Sequence, residues 1–305
     1  MFMVMKLRLH NRRHFLQTTS VALGAAWLSP WSASAADATA KRTAVDQVSL
    51  GQTGIKLSRL GMGTGSNNGF EQTALGKQEF IDLVHYAYDK GITYFDCAQA
   101  YQTFPWIGDA IKGLPREKLF IQSKVPGRPE DALDVIDNQR KVLKTDYVDS
   151  LLIHCMMRGD WTDGWKQVME AFNEAKDKKW IRAKGVSCHT LPALQKATAS
   201  AWTEVQLVRV NPQGNHMDGA SPSWNSGHTD IQPVMEQIKT MHEKGHGVIG
   251  MKICGNGDFR KPEDREKSIR FAMSCRDIDA IVIGFTERSQ IDEAIERMNR
   301  ALAEA

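Results

Sequence analysis

The sequence predicts a single α/β domain, a (β/α)8 TIM barrel with an N-terminal β-hairpin, and three observations carry that prediction. From Leu57 onward, eight short apolar runs alternate with eight longer stretches of helical period. The alternation takes about 245 residues, the usual size of such a barrel. No Gly-x-Gly-x-x-Gly follows the first run, because Gly61-Met62-Gly63-Thr64-Gly65-Ser66 lacks the third glycine, which disfavours the rival doubly wound sheet.

At the N-terminus, Asn11-Arg12-Arg13-His14-Phe15-Leu16-Gln17 precedes a mostly apolar run from Val21 to Trp31 and then Ala33-Ser34-Ala35. That order is the n-region, h-region and A-x-A site of a secretory signal. The arginine pair before x-Phe-Leu resembles the twin-arginine export motif. Residues 1–35 are therefore expected to be a twin-arginine signal peptide, 36–44 a linker and 45–305 the barrel. The expected partner is the twin-arginine export machinery and the expected location is periplasmic or otherwise exported. The apolar run is too short to span a bilayer comfortably, so no stable membrane insertion is expected after cleavage.

From Val45 to Arg59, Gly51 and Gly54 separate two short extended runs, a β-hairpin placed to plug the barrel bottom. The strands then read Leu60 to Thr64, Thr93 to Asp96, Leu119 to Lys124, Ser150 to His154, Arg182 to Ser187, Val205 to Val210, Val248 to Lys252 and Ala280 to Ile283. They are apolar nearly throughout, as parallel strands covered on both sides should be. Between them Phe80, Val84 and Ala87 recur at helical spacing, as do Trp165, Val168 and Phe172, and Ile231, Val234, Ile238 and Met241. Gly91, Gly113 and Gly245 stand where left-handed C-caps are wanted.

Composition removes several function classes. The formal charge of +3 comes from 39 basic and 36 acidic residues, and residues 1–35 hold four of the basic ones (Lys6, Arg8, Arg12, Arg13) and no acid. Cleavage leaves 35 against 36, so no polybasic field exists for nucleic acid. The five cysteines form no close pair, which excludes a disulfide scaffold and an iron–sulfur pattern. Cys97, Cys155, Cys188 and Cys254 sit at strand ends beside His154 and His189, but strand alternation turns Cys97, Cys155 and Cys188 outward, so no metal site is expected.

Functional side chains of such barrels stand at the C-terminal strand ends. Asp96 ends the second strand, Lys124 the third and His154 the fourth, and Tyr101 lies five residues past Asp96, close enough to fold back over the mouth. Tyrosine is a poor proton relay near neutrality unless a cation favours its phenolate. Lys124 supplies that cation, and Asp96 compensates a buried ammonium that would otherwise be costly. His154 can donate a hydrogen bond to a substrate carbonyl while Tyr101 gives or takes the proton at the same oxygen.

Phe95-Asp96-Cys97-Ala98-Gln99-Ala100-Tyr101 resembles the F-D-T-A-x-x-Y segment of the aldo-keto reductase family. Lys124 in Ser123-Lys124-Val125, His154 after Asp149-Ser150-Leu151-Leu152-Ile153, and Ile181-Arg182-Ala183-Lys184-Gly185-Val186-Ser187 are similar to its later motifs, over nearly all of the mature chain. The resemblance implies hydride transfer between a nicotinamide cofactor and a carbonyl or alcohol, with Tyr101, Lys124, Asp96 and His154 catalytic. It also implies cofactor contacts from Ser187, Cys188, Gln206, Lys252, Gly255, Gly257, Gly284, Phe285, Thr286, Arg288, Gln290 and Glu293, with a slight preference for NADP(H) over NAD(H). The helix opening after Ile283-Gly284-Phe285-Thr286-Glu287 suits an anion.

This chain departs from the pattern at four places. Cys188-His189 replaces the asparagine that follows Ser187 in the family, and Gln206-Leu207-Val208-Arg209-Val210-Asn211-Pro212 lacks the aromatic that stacks on nicotinamide. Gln290 and Ala294 stand where many members have Arg and Asn, with Arg288 nearby, and Met251-Lys252-Ile253-Cys254-Gly255-Asn256-Gly257 is similar to a divergent branch. With the sequence given ending at Ala305, substrate recognition is expected from Trp106, Trp161 and the loop from Asn211 to Thr229, with Met217 and Trp224. The alternatives are a non-catalytic nucleotide-binding sensor or regulatory barrel, and an exported carbohydrate-binding barrel.

Overall fold

A computed structural model describes residues 41–220 and 227–304. The expected signal peptide, most of the expected linker and Trp224 lie outside the described residues. Residues 41–305 form one compact unit.

The hairpin is β1 (Gln47–Ser49) paired antiparallel with β2 (Lys56–Ser58). Eight parallel strands follow: β3 (Leu60–Gly63), β4 (Tyr94–Asp96), β5 (Phe120–Pro126), β6 (Val148–Met156), β7 (Ile181–Cys188), β8 (Val205–Arg209), β9 (Gly247–Met251) and β10 (Ala280–Gly284). They close in chain order, with β10 returning to β3. The helices are α1 (Phe70–Thr73), α2 (Lys77–Asp89), α3 (Phe104–Ala110), α4 (Ala132–Leu143), α5 (Trp161–Gly164), α6 (Lys166–Asp177), α7 (Leu191–Ala199), α8 (Gln232–Glu243), α9 (Pro262–Ser274) and α10 (Arg288–Glu304). The expected barrel, strands and hairpin are all present.

Strand alternation sorts the side chains into two cores. Leu60, Phe95, Ile121, Leu151, Ile153, Val186, Val208 and Ile281 face the helices and meet their apolar stripes, such as Phe80, Val84 and Ala87 of α2. Tyr94, Phe120, Leu152, Ala183, Val205, Leu207, Ile249 and Val282 face inward and fill the barrel. Gly91 ends α2 with φ of 95°, a left-handed value that a Cβ would oppose.

The hairpin closes the bottom of the barrel. Leu50, Ile55 and Leu57 are buried among the inward-facing side chains. Gly51 N–H donates to Asp279 at 3.0 Å and Gln52 N–H to the Gly245 carbonyl at 2.9 Å, so the turn is fastened to the loops it covers. Burying three aliphatic side chains there contributes roughly 5–8 kcal/mol of gross hydrophobic stabilisation, before conformational entropy is set against it.

One strand breaks the alternation. The pairing of β6 with β7 shifts register between Ile153 and Met156, and Cys155 takes φ of 57°. This bulge inserts a residue and lets both Ile153 and Met156 face the helices. The expectation that Cys155 points outward fails for this reason: it is half-buried, and Arg209, Lys252 and Asp218 act on its thiol electrostatically. Cys97 and Cys188 do face the helices, fully buried.

Candidate active site

The C-terminal strand ends gather the expected quartet. Lys124 is 0% exposed, and its Nζ donates to both Asp96 carboxylate oxygens at 2.8 Å, to the Cys97 carbonyl at 2.8 Å and to Tyr101 Oη at 3.3 Å. Gln122 also donates to Asp96 at 2.8 Å, so both carboxylate oxygens are satisfied. The imidazole of His154 stands edge-on to the Tyr101 ring, with centroids 5.5 Å apart. The tyrosine ring lies against Gly65, where an added Cβ would come within 2.3 Å of it.

Electrostatics set the resting protonation states. Burial opposes the Lys124 charge, but Asp96, Tyr101 and Cys97 outweigh it and hold the ammonium above the ordinary lysine range. Burial pushes the Tyr101 phenol up, and Lys124 pulls it back only in part. The resting tyrosine is therefore a protonated donor rather than the phenolate that its lysine neighbour suggests from sequence. Burial, then Lys124 and Lys252, drive His154 down to about 3, so its imidazole is neutral.

Beside this cluster runs an extended groove. A hollow of about 170 Å³ is lined by Tyr101, Asp96, Gly65, Lys252, Asn256, Gly257 and Gly284. It shares Glu71, Cys254, Gly257, Ile283 and Gly284 with a second hollow of about 300 Å³ that reaches Phe285, Thr286, Gln290 and Glu293 at the start of α10. A larger hollow, about 540 Å³, lies at the opposite end between Gln52, Glu204 and Lys244, and contains none of the expected site residues.

Most expected cofactor residues border the groove. Lys252 follows β9 in a left-handed conformation, φ of 61°, with its Nζ 2.6 Å from Asn256 Oδ1. Its charge is disfavoured by burial and then by Arg209, which bring it down to about 8. Gly255 and Gly257 form the short turn that comes next. Ser187, near the end of β7, shares the inward parity of Ala183, and its buried Oγ makes no hydrogen bond. The Thr286 N–H, at the opening of α10, donates to Gln290 at 2.9 Å. Glu293 is paired with Arg265 and Arg297.

Five expectations need correction. Cys188 is buried against the helices, its thiol pushed far up by burial, and does not face the mouth. Gln206 has the outward parity and sits near the barrel bottom, bonded to His246 at 3.1 Å. Arg288 turns toward α2, 4.0 Å from Glu79 and over the Tyr86 ring, and does not line the groove. Trp161 is fully buried under α7, donating to the Ala193 carbonyl and packing on Trp202. Trp106 packs on Phe80 in the helix layer.

Three residues at the mouth, Arg209, Asp218 and His189, carry no expected role from sequence. Arg209 ends β8 pointing inward with its side chain 1% exposed, and it pairs with Asp218 at 3.5 Å. Arg209 Nη2 also donates to His189 Nδ1. Burial raises Asp218 to about 7 against the pull of Arg209. Parity carried the signal for Arg209: it is a cation in line with inward-facing Val205 and Leu207 in an otherwise apolar strand.

Comparisons with known proteins agree with this geometry. The model of the aldo/keto reductase family matches residues 59–304. An aldo-keto reductase of Glycine max is 32% identical over 231 residues, covering 70% of this chain and 61% of that protein. The glycerol 2-dehydrogenase (NADP(+)) of Hypocrea jecorina is 28% identical over 196 residues, covering 54% of this chain and 58% of that protein. The chain thus spans about three-fifths of the length of these two relatives. The NAD/NADP-dependent indole-3-acetaldehyde reductase of Schizosaccharomyces pombe is 29% identical over 255 residues, covering 72% of this chain and 87% of that protein. Among solved structures, the holo form of an aldo-keto reductase from Bacillus halodurans superposes with a TM-score of 0.66 at 16% identity, covering 86% of this chain and 96% of its own, a likeness of fold.

Proposed function

This chain belongs to the aldo/keto reductase family, and from that premise we propose that it is an exported NAD(P)H-dependent oxidoreductase acting on an aldehyde, ketone or alcohol. The observation that carries the reading is the Lys124 ammonium, fixed by Asp96 and aimed at the Tyr101 hydroxyl beside a neutral imidazole.

A dinucleotide fits the residues present. The groove is long, its inner end is lined by Tyr101, Lys252 and the Gly257 turn, and its outer end opens at the N-terminus of α10. The nicotinamide, when bound, supplies or accepts the hydride. In the reducing direction Tyr101 donates the proton to the carbonyl oxygen, and Lys124 stabilises the phenolate left behind. His154, being neutral, donates a hydrogen bond to the same oxygen without competing for the proton. NADP(H) remains the expected form, because Arg260, Arg265 and Arg297 line the outer hollow. Arg265 and Arg297 are already paired with Glu293, which leaves exposed Arg260 to meet an added phosphate.

Titration of the mature protein with NADPH and NADH, followed by nicotinamide fluorescence and melting temperature, tests the cofactor. Saturable binding with tighter NADPH is expected, and no binding would overturn the reading. Turnover of a carbonyl panel should fall about 10³-fold in Tyr101→Phe while cofactor affinity holds. Export through the twin-arginine pathway rests on the arginine pair and the Ala33-Ser34-Ala35 site. Replacing Arg12 and Arg13 by lysine should retain the precursor in the cytoplasm, and unchanged export would exclude that route.

A further inference from the structure

Strand β5 carries a primary amide between the apolar filling of the barrel, which includes Phe120, and the charged mouth at Lys124. This residue, Gln122, stands opposite Asp96 in the register of β4 with β5 and is fully buried. Its Nε2 donates to Asp96 Oδ1 at 2.8 Å and to Tyr94 Oη at 2.9 Å. A carboxylate only accepts, so the contact with Asp96 fixes which end of the amide is nitrogen, and the two bonds take both of its hydrogens. The amide keeps this orientation although its Oε1 is buried without a hydrogen bond among the described residues. Turning it would set oxygen against carboxylate, a greater cost than one unpaired acceptor. Tyr94 is in turn held fast. It is fully buried, its ring meets Phe120 edge-on with centroids 5.0 Å apart, and a Cβ at Gly61 would strike it.

These contacts form one chain from the barrel filling to the reacting group: Tyr94, Gln122, Asp96, Lys124 and Tyr101. The titratable and charged groups that act on the Tyr101 phenol are Lys124, Asp96 and Cys97, with the neutral His154 ring edge-on to it. Lys124 favours loss of the phenolic proton and Asp96 opposes it. A hydrogen bond donated to Asp96 spreads the carboxylate charge and weakens that opposition. We propose that Gln122 is a positioning residue of the reduction site: anchored on Tyr94, its amide holds the Asp96 carboxylate in one orientation and draws off part of its charge, which leaves Lys124 freer to act on Tyr101. Gln122 does not line the groove, so it acts through Asp96. This inference rests on the reductase reading for its effect on turnover, whereas the fixed amide is a property of the protein alone.

Two measurements on the full mature chain test it. In the first, Gln122→Met, which keeps the length of the side chain and removes the donor, is compared with wild type across pH. For carbonyl reduction kcat should fall about tenfold, and the alkaline limb of its pH profile should move up by about half a unit or more, because the proton donor becomes a weaker acid. KM and NADPH affinity should hold, since Gln122 touches neither ligand. Tyr94→Phe, which leaves one amide hydrogen without its acceptor, should move the limb the same way by less. A packing role alone would lower the melting temperature and leave the limb in place. An unmoved limb in folded Gln122→Met overturns the proposal, as does an unmoved limb in Tyr94→Phe should Gln122→Met not fold.

In the second, ¹⁵N spectra of glutamine-labelled protein report the Gln122 side-chain amide without ligand, assigned by its absence from Gln122→Met. Both hydrogens should be protected from solvent exchange, and Tyr94→Phe should shift one of them upfield and leave the other. A rapidly exchanging or freely rotating amide overturns the proposal. A wild-type protein that binds no dinucleotide while showing the protected amide would instead sink the reductase reading.

Discussion

The two ends of the barrel bury charge in opposite ways. At the bottom, charges are matched: Asp149 accepts from Arg116 and Arg182 at 2.7 Å and from Ile121 N–H at 3.0 Å, and Asp279 accepts from Gly51 and Val248 N–H groups. At the mouth, Lys124 and Arg209 each have a carboxylate, but among the described residues the Lys252 ammonium meets the Asn256 amide and no carboxylate, and the imidazoles of His154 and His189 are held neutral. The carboxylates at the bottom are taken up by the fold, whereas at the mouth the Tyr101 and Lys252 side chains line a hollow that a ligand would fill. The difference locates the chemistry without reference to cavity size, since the most spacious of the hollows described is at the bottom.

Removing Lys124 should break the contrast most severely. Lys124→Met leaves Asp96 buried without its cation, and destabilisation of about 3–5 kcal/mol by denaturant unfolding is expected together with loss of turnover. Adding Asp96→Asn should recover part of that stability and none of the activity; a stable single variant would show the pair is not the dry ion pair described here.

Leu50→Ala tests the other end. It should cost about 3 kcal/mol through the cavity it leaves under the hairpin, with kcat unchanged in the folded fraction. A kcat effect would mean the two ends are coupled.

Gly65→Ala sharpens the comparison within the mouth. A methyl group there would come within 2.3 Å of the Tyr101 ring, so the ring must move. Turnover should fall about 100-fold, in keeping with misplacement of a reacting group by about 1 Å, while the melting temperature changes little. Wild-type rates would show the ring has room to spare.

The smallest effect expected is on acid stability. His154 is lowered to about 3 in the folded chain, so between its ordinary range near pH 6.5 and pH 3 the unfolded chain binds the extra proton. Stability from this group is intact above about pH 6.5 and is lost progressively as pH falls. His154→Gln should flatten the fall of melting temperature between pH 6.5 and 4, and an undiminished slope would contradict the burial of a neutral ring.

The barrel was legible because each strand is a short apolar run with a polar or glycine stop. The quartet was legible because a charged residue closing such a run is costly to bury and is kept where it has work to do. Parity accounts for much of what was missed. Gln206 is one residue out of phase with inward-facing Val205 and Leu207, so it faces the helices, while Arg209, in phase with them, reaches the mouth. Cys155 escaped because a bulge resets the phase locally, and nothing in Ile153-His154-Cys155-Met156 announces an inserted residue. Trp106 and Trp161 misled because an indole suits a ligand platform and a helix contact equally well. Their partners, Phe80 and Ala193, are distant in sequence.

The sulfur atoms bear on the proposed export. All five thiols are free, and each is held above the ordinary range: Cys97 to about 12 and Cys254 to about 11, with Cys155, Cys188 and Cys275 raised as well, in every case chiefly by burial. Only the thiolate attacks a disulfide or a peroxide, so these sulfurs are chemically dormant. A barrel built this way needs no reductant to keep its cysteines apart and no oxidase to join them, and its melting temperature should be the same in oxidising and reducing media.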